Sequence, residues 1–300
     1  MELHPECIPC LVDRASEESA LVFTKDEERI RALAEFISFL GVHLVDRDLR
    51  TPAFYGTERA RIIQRLSGVR DPHEARKRIS NAVARSLLRE AHSFYEAAAD
   101  QLEALVRIAA VANSMEYGVK GHEYSEDRFK REFVQTLHAP LRWDRGAVLS
   151  ALRGREKILY LTDNAGEIIF DALVIQKLQS WGKEVVIAPK SAPVLNDATI
   201  EDLQVAGLAT GESPCRVIPT GASIGLILEE TEAAFLKVFR DERFLVIAKG
   251  MGHYETVSEF DARADVGLRD RLLYILRAKC EPVAQALKVQ RGDLVAYLAR

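Results

Sequence analysis

The sequence predicts an α/β protein in two parts. An all-helical N-terminal domain occupies residues 1–145, and a mostly parallel sheet occupies residues 146–300. Three observations lead there. Apolar residues recur at helical spacing between residues 25 and 137, short β-rich runs alternate with helical stretches from residue 157 onward, and polar residues gather where those runs end. Strands alternating with helices make βαβ units and hence a mostly parallel sheet. No strand is expected before residue 156, and the boundary near residue 145 rests on the change of period alone.

In order, Lys25–Leu44 carries Ile30, Leu33, Ala34, Ile37, Leu40 and Leu44 on one stripe, with Thr24 placed to cap the helix. The pair Asp46-Arg47-Asp48 beyond it reads as surface charge. Asp71-Pro72 is expected to open a second helix, Asp71 as N-cap and Pro72 at N1, with Ala75, Ile79, Val83 and Leu87 on its apolar face. Gln101–Met115 is apolar nearly all round, the signature of a buried helix. Glu126–Leu137 follows with Phe129, Phe133 and Leu137. Strands are expected at Lys157–Leu161, Glu184–Ala188, Arg216–Pro219, Phe244–Ala248 and Leu272–Leu276. Helices are expected between them at Ile168–Gln179, Thr199–Val205, Gly225–Phe239 and Tyr254–Asp261.

The stretch KILYLTDNAGEIIFD, Lys157–Asp171, is the most informative: a buried strand, a polar turn and a helix start place Asp163 and Asn164 at the carboxyl end of a strand. In open α/β sheets that edge is where ligands bind. Lys190, Ser191, Asn196 and Asp197 follow the second strand, and Lys249 through Glu255, including His253, follow the fourth. A parallel sheet brings all of them to one edge. The chain holds four asparagines, and Asn164 and Asn196 lie in these turns, while Asn113 interrupts the end of the buried helix beside Glu116. Each feature also has a purely structural reading: Asp197 as the N-cap of the helix opening at Thr199, Lys249 as a solvated strand end, Asn113 and Glu116 as helix-end polar groups.

Two carboxylates and an amide oxygen are hard ligands, suited to Mg²⁺ or Mn²⁺ rather than to a closed zinc site. The backbone N–H groups of Gly166 and Glu167 at a helix start favour an anion, and Lys249 adds a point charge. A phosphate ester is the substrate such a set expects, with hydrolysis and transfer both left open.

Composition bounds the alternatives. With 48% hydrophobic and 29% charged residues the chain is an ordinary globular protein. A net charge of −4 gives no basic footprint for nucleic acid, and no apolar run is long enough for a membrane span. The first residues, MELHPEC, have neither a basic n-region nor an apolar h-region, so a cytoplasmic location is expected. There is no G-x-x-x-x-G-K-[ST], no G-x-G-x-x-G after the first strand, and no G-x-S-x-G or S-x-x-K. Cys7-Ile8-Pro9-Cys10 stays open between a buried or helix-capping pair, a disulfide, and half of a metal site completed from His4, Cys215 or Cys280.

The segments ECIPCLVDRA, ANSMEYGVKGH, YLTDNAGEIIFD, VLNDATIEDL, IAKGMGHYET and AKCEPVAQALKV, in that order along essentially the whole chain, resemble the damage-control phosphatase family, also known as domain of unknown function 89, in its stand-alone archaeal branch. The resemblance implies a helical part followed by a Rossmann-like α/β part. It also implies a phosphatase that uses a divalent metal (Mg, Mn, Co or Ni) and acts on small phosphorylated metabolites such as sugar phosphates or damaged by-products. By resemblance the metal pair falls on Asp163 and Asn164, the third metal ligand on Asp197, and the phosphate-binding lysine on Lys249. The family's Asn-x-x-Asp falls on Asn113 and Glu116. Two residues depart from the pattern: Glu116 stands for Asp, and His253 stands for Asn and is expected to titrate near neutral pH. A rival from another class is a non-catalytic nucleotide- or metabolite-binding module with a structural metal at the CxxC; a phosphotransferase is a third reading. The oligomeric state is left open.

Overall fold

A computed structural model describes residues 1–46, 49–115, 125–209, 215–260 and 267–299. The N-terminal half is built from α1 (Cys7–Val22), α2 (Asp26–Val45), α3 (Pro52–Ser67), α4 (Glu74–Ser86), α5 (Leu88–Ala97), α6 (Gln101–Ala112) and α7 (Glu126–Leu137). Helices α1, α2 and α3 close a small core of Leu11, Ala15, Phe36, Leu40, Tyr55 and Ile62. Helix α6 is buried on all sides, as its composition requires.

Local details correct the reading of the sequence. The N-cap of α2 is Lys25, without a side-chain bond, not Thr24. Asp71 accepts the His73 N–H at 2.9 Å in a turn, and α4 begins two residues after Pro72, at Glu74. On α4, Ala75 and Ile79 face outward, whereas Lys77, Ser80 and Asn81 are buried with Val83 and Ala84. A polar stripe faces inward because it packs on a polar site. Asp46 is exposed, while Arg47 and Asp48 lie outside the described residues.

The inner stripe of α4 is flanked by His73, 3% exposed and near the buried Glu18–Arg59 ion pair (2.7 and 3.0 Å). Burial lowers the His73 pKa to about 4, against the pull of Glu18. The folded state therefore resists protonation that the unfolded chain accepts below about 6.5, so this stability is present above 6.5 and is lost as pH falls toward 4. It amounts to about 3 kcal/mol. Denaturant unfolding of His73→Gln is expected to show a flatter loss of stability between pH 6.5 and 4.5 than the parent; an unchanged slope would contradict this.

After the helical half come β1 (Leu141–Trp143), α8 (Arg145–Gly154), β2 (Lys157–Leu161), α9 (Glu167–Ser180), β3 (Glu184–Ala188), α10 (Ile200–Val205) and β4 (Arg216–Val217). A 3₁₀ turn (Leu228–Glu230), α11 (Ala233–Phe239), β5 (Phe244–Lys249), α12 (Gly250–Val257), β6 (Leu272–Arg277), α13 (Glu281–Leu287) and β7 (Leu294–Leu298) complete the chain. The seven strands run in the order β1-β7-β6-β5-β2-β3-β4, and every pairing is parallel except β6 with β7. The fold is thus α/β with a mostly parallel sheet in the C-terminal half.

Five of the strands fall where expected. β1 and β7 do not: they form one end of the sheet, and β1 lies before residue 156. β1 (LRW) is three residues long with an arginine at its centre, too short to read as a strand, whereas β7 (LVAYL) is an apolar run that the expected strands did not include. The helix expected over Gly225–Phe239 is the 3₁₀ turn plus α11, and the one at Tyr254–Asp261 begins earlier, at Gly250. Its expected end at Asp261 lies outside the described residues.

Alternate side chains divide between the two faces. Ile158, Tyr160, Val185, Ile187, Leu245 and Ile247 pack with α6 and α9, while Leu159, Leu161, Val186, Val246 and Tyr274 pack with α11, α12 and α13. Strands buried on both faces read as continuous apolar runs, which is why β2, β3 and β5 were visible in the sequence. Among the described residues no helix is long and apolar enough to cross a membrane.

Candidate active site

From β2 the chain proceeds outward to β3 and β4, then returns across β2 to β5 on its other side. The adjacent carboxyl ends of β2 and β5 are therefore a topological switch point, where an open α/β sheet leaves a crevice. Asp163 and Asn164 leave β2 there, and Lys249-Gly250 ends β5.

The loops after β2 and β3 are zipped together by backbone bonds. The Ala198 N–H donates to the Asp163 carbonyl at 2.7 Å, the Ala165 N–H donates to the Asn196 carbonyl at 2.8 Å, and Asn164 and Asp197 form a single antiparallel bridge. Asp197 is thus held against Asn164 and is not the cap of α10; Thr199 fills that role, in a capping box with Asp202. Leu195, just before Asn196, has φ 46°, a left-handed conformation that costs a leucine about 1–2 kcal/mol and marks a loop held in place by its surroundings.

Gly250 has φ +80°, and a Cβ there would lie 2.0 Å from Asp163 Oδ2. At the N-cap of α9, Gly166 has φ +79°, and a Cβ would lie 2.7 Å from Ser80 Cβ on α4. Both glycines let backbone approach the carboxylate loop more closely than any side chain allows.

The side chains form one connected network. Asp163 Oδ2 accepts from Asn113 Nδ2 at 2.8 Å and Asn164 Nδ2 at 2.7 Å. Those two amides also reach Glu167, Asn113 at 3.0 and 3.2 Å and Asn164 at 3.2 Å. Asn164 Oδ1 accepts from Asn196 Nδ2 at 2.8 Å. The Gly166 N–H donates to Asn81 Oδ1 at 2.6 Å, so that amide is already engaged rather than turned toward an anion. Asn81 in turn donates to Asp202, which Lys77 pairs at 2.7 Å, and this chain ties α4 to α10.

Lys249 is fully buried between Glu167 (2.5 Å) and Asp171 (2.6 Å), and Asp171 also accepts from the Tyr160 hydroxyl at 2.6 Å. Burial opposes the Lys249 charge, but Asp171 and Glu167 outweigh it and hold its pKa above the usual lysine value. Burial pushes the Asp171 carboxyl up to about 6, against the pull of Lys249. Lys190 is equally buried, its ammonium donating to the Gly225 carbonyl at 2.5 Å and lying 3.8 Å from Asp197. Burial lowers its pKa, with Asp197 and Asp163 pulling the other way.

His253 is 1% exposed, and its Nδ1 donates to the Lys249 carbonyl at 2.7 Å. Burial and the nearby Lys190 hold its pKa well below 6.5. It is a neutral imidazole at physiological pH, contrary to the expectation of titration near neutrality.

Four buried carboxylates (Asp163, Glu167, Asp171, Asp197) thus meet two buried ammonium groups (Lys190, Lys249) in one network. Asp163, Asn164 and Asp197, brought side by side by the bridged loops, form a donor set of the kind that suits a hard divalent cation. The two carboxylates and one amide offer only hard oxygens.

The structure brings together Asp163, Asn164, Asp197, Gly166, Glu167, Asn113 and, beneath them, Lys249; Glu116 lies outside the described residues. Asn81, Asn196, Lys190, Asp171 and Tyr160 also belong to the network. A signal for the amides was present: all four asparagines of the chain converge here.

Comparison with known proteins finds relatives over the full length of the chain. Residues 3–295 match the family described as the damage-control phosphatase ARMT1-like domain. A damage-control phosphatase of Archaeoglobus fulgidus is 32% identical over 297 residues, covering 99% of each chain. Another, of Pyrococcus horikoshii, is 31% identical over 298 residues, covering 98% of this chain and 97% of the relative. The crystal structure of a DUF89 family protein from Pyrococcus horikoshii superposes with a TM-score of 0.84 at 29% identity, over 100% of both chains.

Proposed function

This chain belongs to the damage-control phosphatase family of ARMT1-like domains, and on that premise we propose that it hydrolyses phosphate esters of small metabolites with a divalent metal held at the β2–β5 crevice. The observation that carries the reading is the bridge between Asn164 and Asp197, with Asp163 beside them, which gathers hard oxygen donors at a switch point of the sheet. Asp163, Asn164 and Asp197 would hold the metal. When bound, the metal supplies Lewis acidity toward a phosphoryl oxygen and acidifies a coordinated water.

The chain's own residues supply the rest. Asn113 and Asn164 fix the Asp163 carboxylate in one orientation through Oδ2. Lys190 lies beside Asp197, and Lys249 lies beneath Glu167 and beside Asp171, so both hold carboxylates of the network in place. Glu167 keeps Asn113 and Asn164 aimed at Asp163 by accepting from both amides. The substrate class is sugar phosphates or damaged phosphometabolites.

The test is phosphate release from p-nitrophenyl phosphate and a sugar-phosphate panel with Mg²⁺, Mn²⁺, Co²⁺ or Ni²⁺, then with EDTA. Turnover that requires metal, stops with EDTA and returns on re-addition is expected. Ligand binding without turnover, or turnover indifferent to EDTA, would contradict the proposal. Gly250→Ala is a further check. Its methyl would occupy the space of the Asp163 carboxylate, and a displacement of that size is expected to lower kcat/KM about 10²-fold. Steady-state kinetics beside circular dichroism would read this, and a fully active Gly250→Ala protein would contradict it.

A further inference from the structure

Two separate loops carry the residues that would hold the metal, Asp163 and Asn164 after β2 and Asp197 after β3. Beside the strands the loops are zipped by backbone bonds. Farther along the chain they are joined a second time, by one side chain from the helical half. Asn81 on α4, 7% exposed, accepts the Gly166 N–H through Oδ1 at 2.6 Å and donates through Nδ2 to Asp202 Oδ1 at 3.2 Å. Gly166 lies three residues after Asp163, and Asp202 lies five residues after Asp197, in the first turn of α10. A backbone N–H only donates and a carboxylate oxygen accepts, so a single orientation of the amide satisfies both partners.

Both ends of this bracket lean on Asn81. Gly166 is the N-cap of α9 and has no side chain with which to close that helix start. Its φ of +79° and its contact with Ser80 leave no room for one. The Asn81 amide therefore caps α9 from another helix. On the other side, Asp202 Oδ2 is already engaged: it accepts from the Thr199 N–H and hydroxyl, each at 3.0 Å, and pairs with Lys77 at 2.7 Å. Lys77 and Asn81 are four residues apart on one face of α4. They grip Asp202 at two points one turn apart.

We propose that Asn81 is a positioning residue for the metal site, setting the separation of Asp163 and Asn164 on one loop from Asp197 on the other. It acts through Gly166 and Asp202 rather than on the ion, and the inference rests on the metal reading of the crevice. The buried polar face of α4 then has a task in the site, not only in the core. Partners that orient metal ligands from behind change metal affinity about 10–100-fold when lost, and one acting through two loop ends is expected at the lower end.

Mn²⁺ affinity of the full-length chain, read by electron paramagnetic resonance, tests this with a charge exchange. Asn81→Asp keeps an acceptor for Gly166 but sets a carboxylate against Asp202, and should weaken binding about tenfold. Asp202→Asn, whose amide cannot accept from Thr199, Lys77 and Asn81 together, should weaken it as well. The double variant Asn81→Asp/Asp202→Asn exchanges the two roles. Its carboxylate at position 81 accepts from Gly166 and from the new amide, whose oxygen still accepts from Thr199 and Lys77, so affinity should return to that of the parent. Leu40→Ala, in the core of α1, α2 and α3, should lower stability in denaturant and leave the affinity unchanged. In the metal-free parent the Gly166 amide should be protected from hydrogen exchange. The proposal is overturned if both single variants bind as tightly as the parent, if the double variant fails to recover binding or to fold, or if the Gly166 amide exchanges rapidly. A parent that binds no Mn²⁺ removes the metal reading itself, whereas a parent that binds beside single variants that bind equally well removes this inference alone.

Discussion

Asp163→Asn is expected to lower kcat/KM for phosphate-ester hydrolysis about 10³-fold without disturbing the fold, a loss of about 4 kcal/mol in transition-state stabilisation. The substitution is nearly isosteric. The carbonyl oxygen of the new amide can still accept from Asn113 and Asn164, as Asp163 Oδ2 does now at 2.8 and 2.7 Å. The backbone zipper to Ala198 is untouched. What is removed is one negative charge from the donor set. Steady-state kinetics at saturating metal, beside thermal unfolding, separates the two contributions. Activity within tenfold of the parent would remove Asp163 from the mechanism, whatever the unfolding temperature.

Lys249→Met is expected to act in the opposite sense, on stability first. Its ammonium is the shared partner of two fully buried carboxylates, Glu167 at 2.5 Å and Asp171 at 2.6 Å. Methionine fills a similar volume but leaves both carboxylates facing each other, and breaking a buried pair in this way costs about 3–5 kcal/mol. The deficit has a pH signature. Burial already raises Asp171 to about 6 with the lysine present, so without it protonation is easier still. A raised carboxyl pKa favours the folded state at low pH, so the deficit should be largest near pH 8 and shrink toward pH 5. Adding Asp171→Asn to Lys249→Met should recover part of it. Denaturant unfolding across that pH range is the measurement; a deficit independent of pH would contradict the account.

Much of this architecture was legible in the sequence because burial on both faces leaves a local mark. Ile158–Leu161, Val185–Ala188 and Leu245–Ala248 are unbroken apolar runs, and the polar turn after each placed Asp163, Asn164, Asp197 and Lys249 at one sheet edge. The outlying strand β1 is only three residues long and left no such mark, while β7 carries the apolar run LVAYL and went unread although the mark was there. The buried face of α4 was misread for a different reason. Lys77, Ser80 and Asn81 are internal because they pack on Gly166 and Asp202, residues 85 or more positions away, and helical periodicity carries no information about a polar partner that distant. Asp171 and Tyr160 were hidden in the same way, the Tyr160 hydroxyl donating to Asp171 Oδ1 and Lys249 donating to the same oxygen beneath an apolar helix. His253 looked like a switch near neutral pH in sequence, and its burial removes that role.

The central claim is that the loop pair Asp163-Asn164 and Asp197 holds one divalent cation. Electron paramagnetic resonance of Mn²⁺ tests it most directly, because bound ion disappears from the free-ion signal. One equivalent is expected to bind the parent chain and Cys7→Ser alike, with binding lost in the double variant Asp163→Asn/Asp197→Asn. No binding to the parent, or undiminished binding to the double variant, would contradict the account.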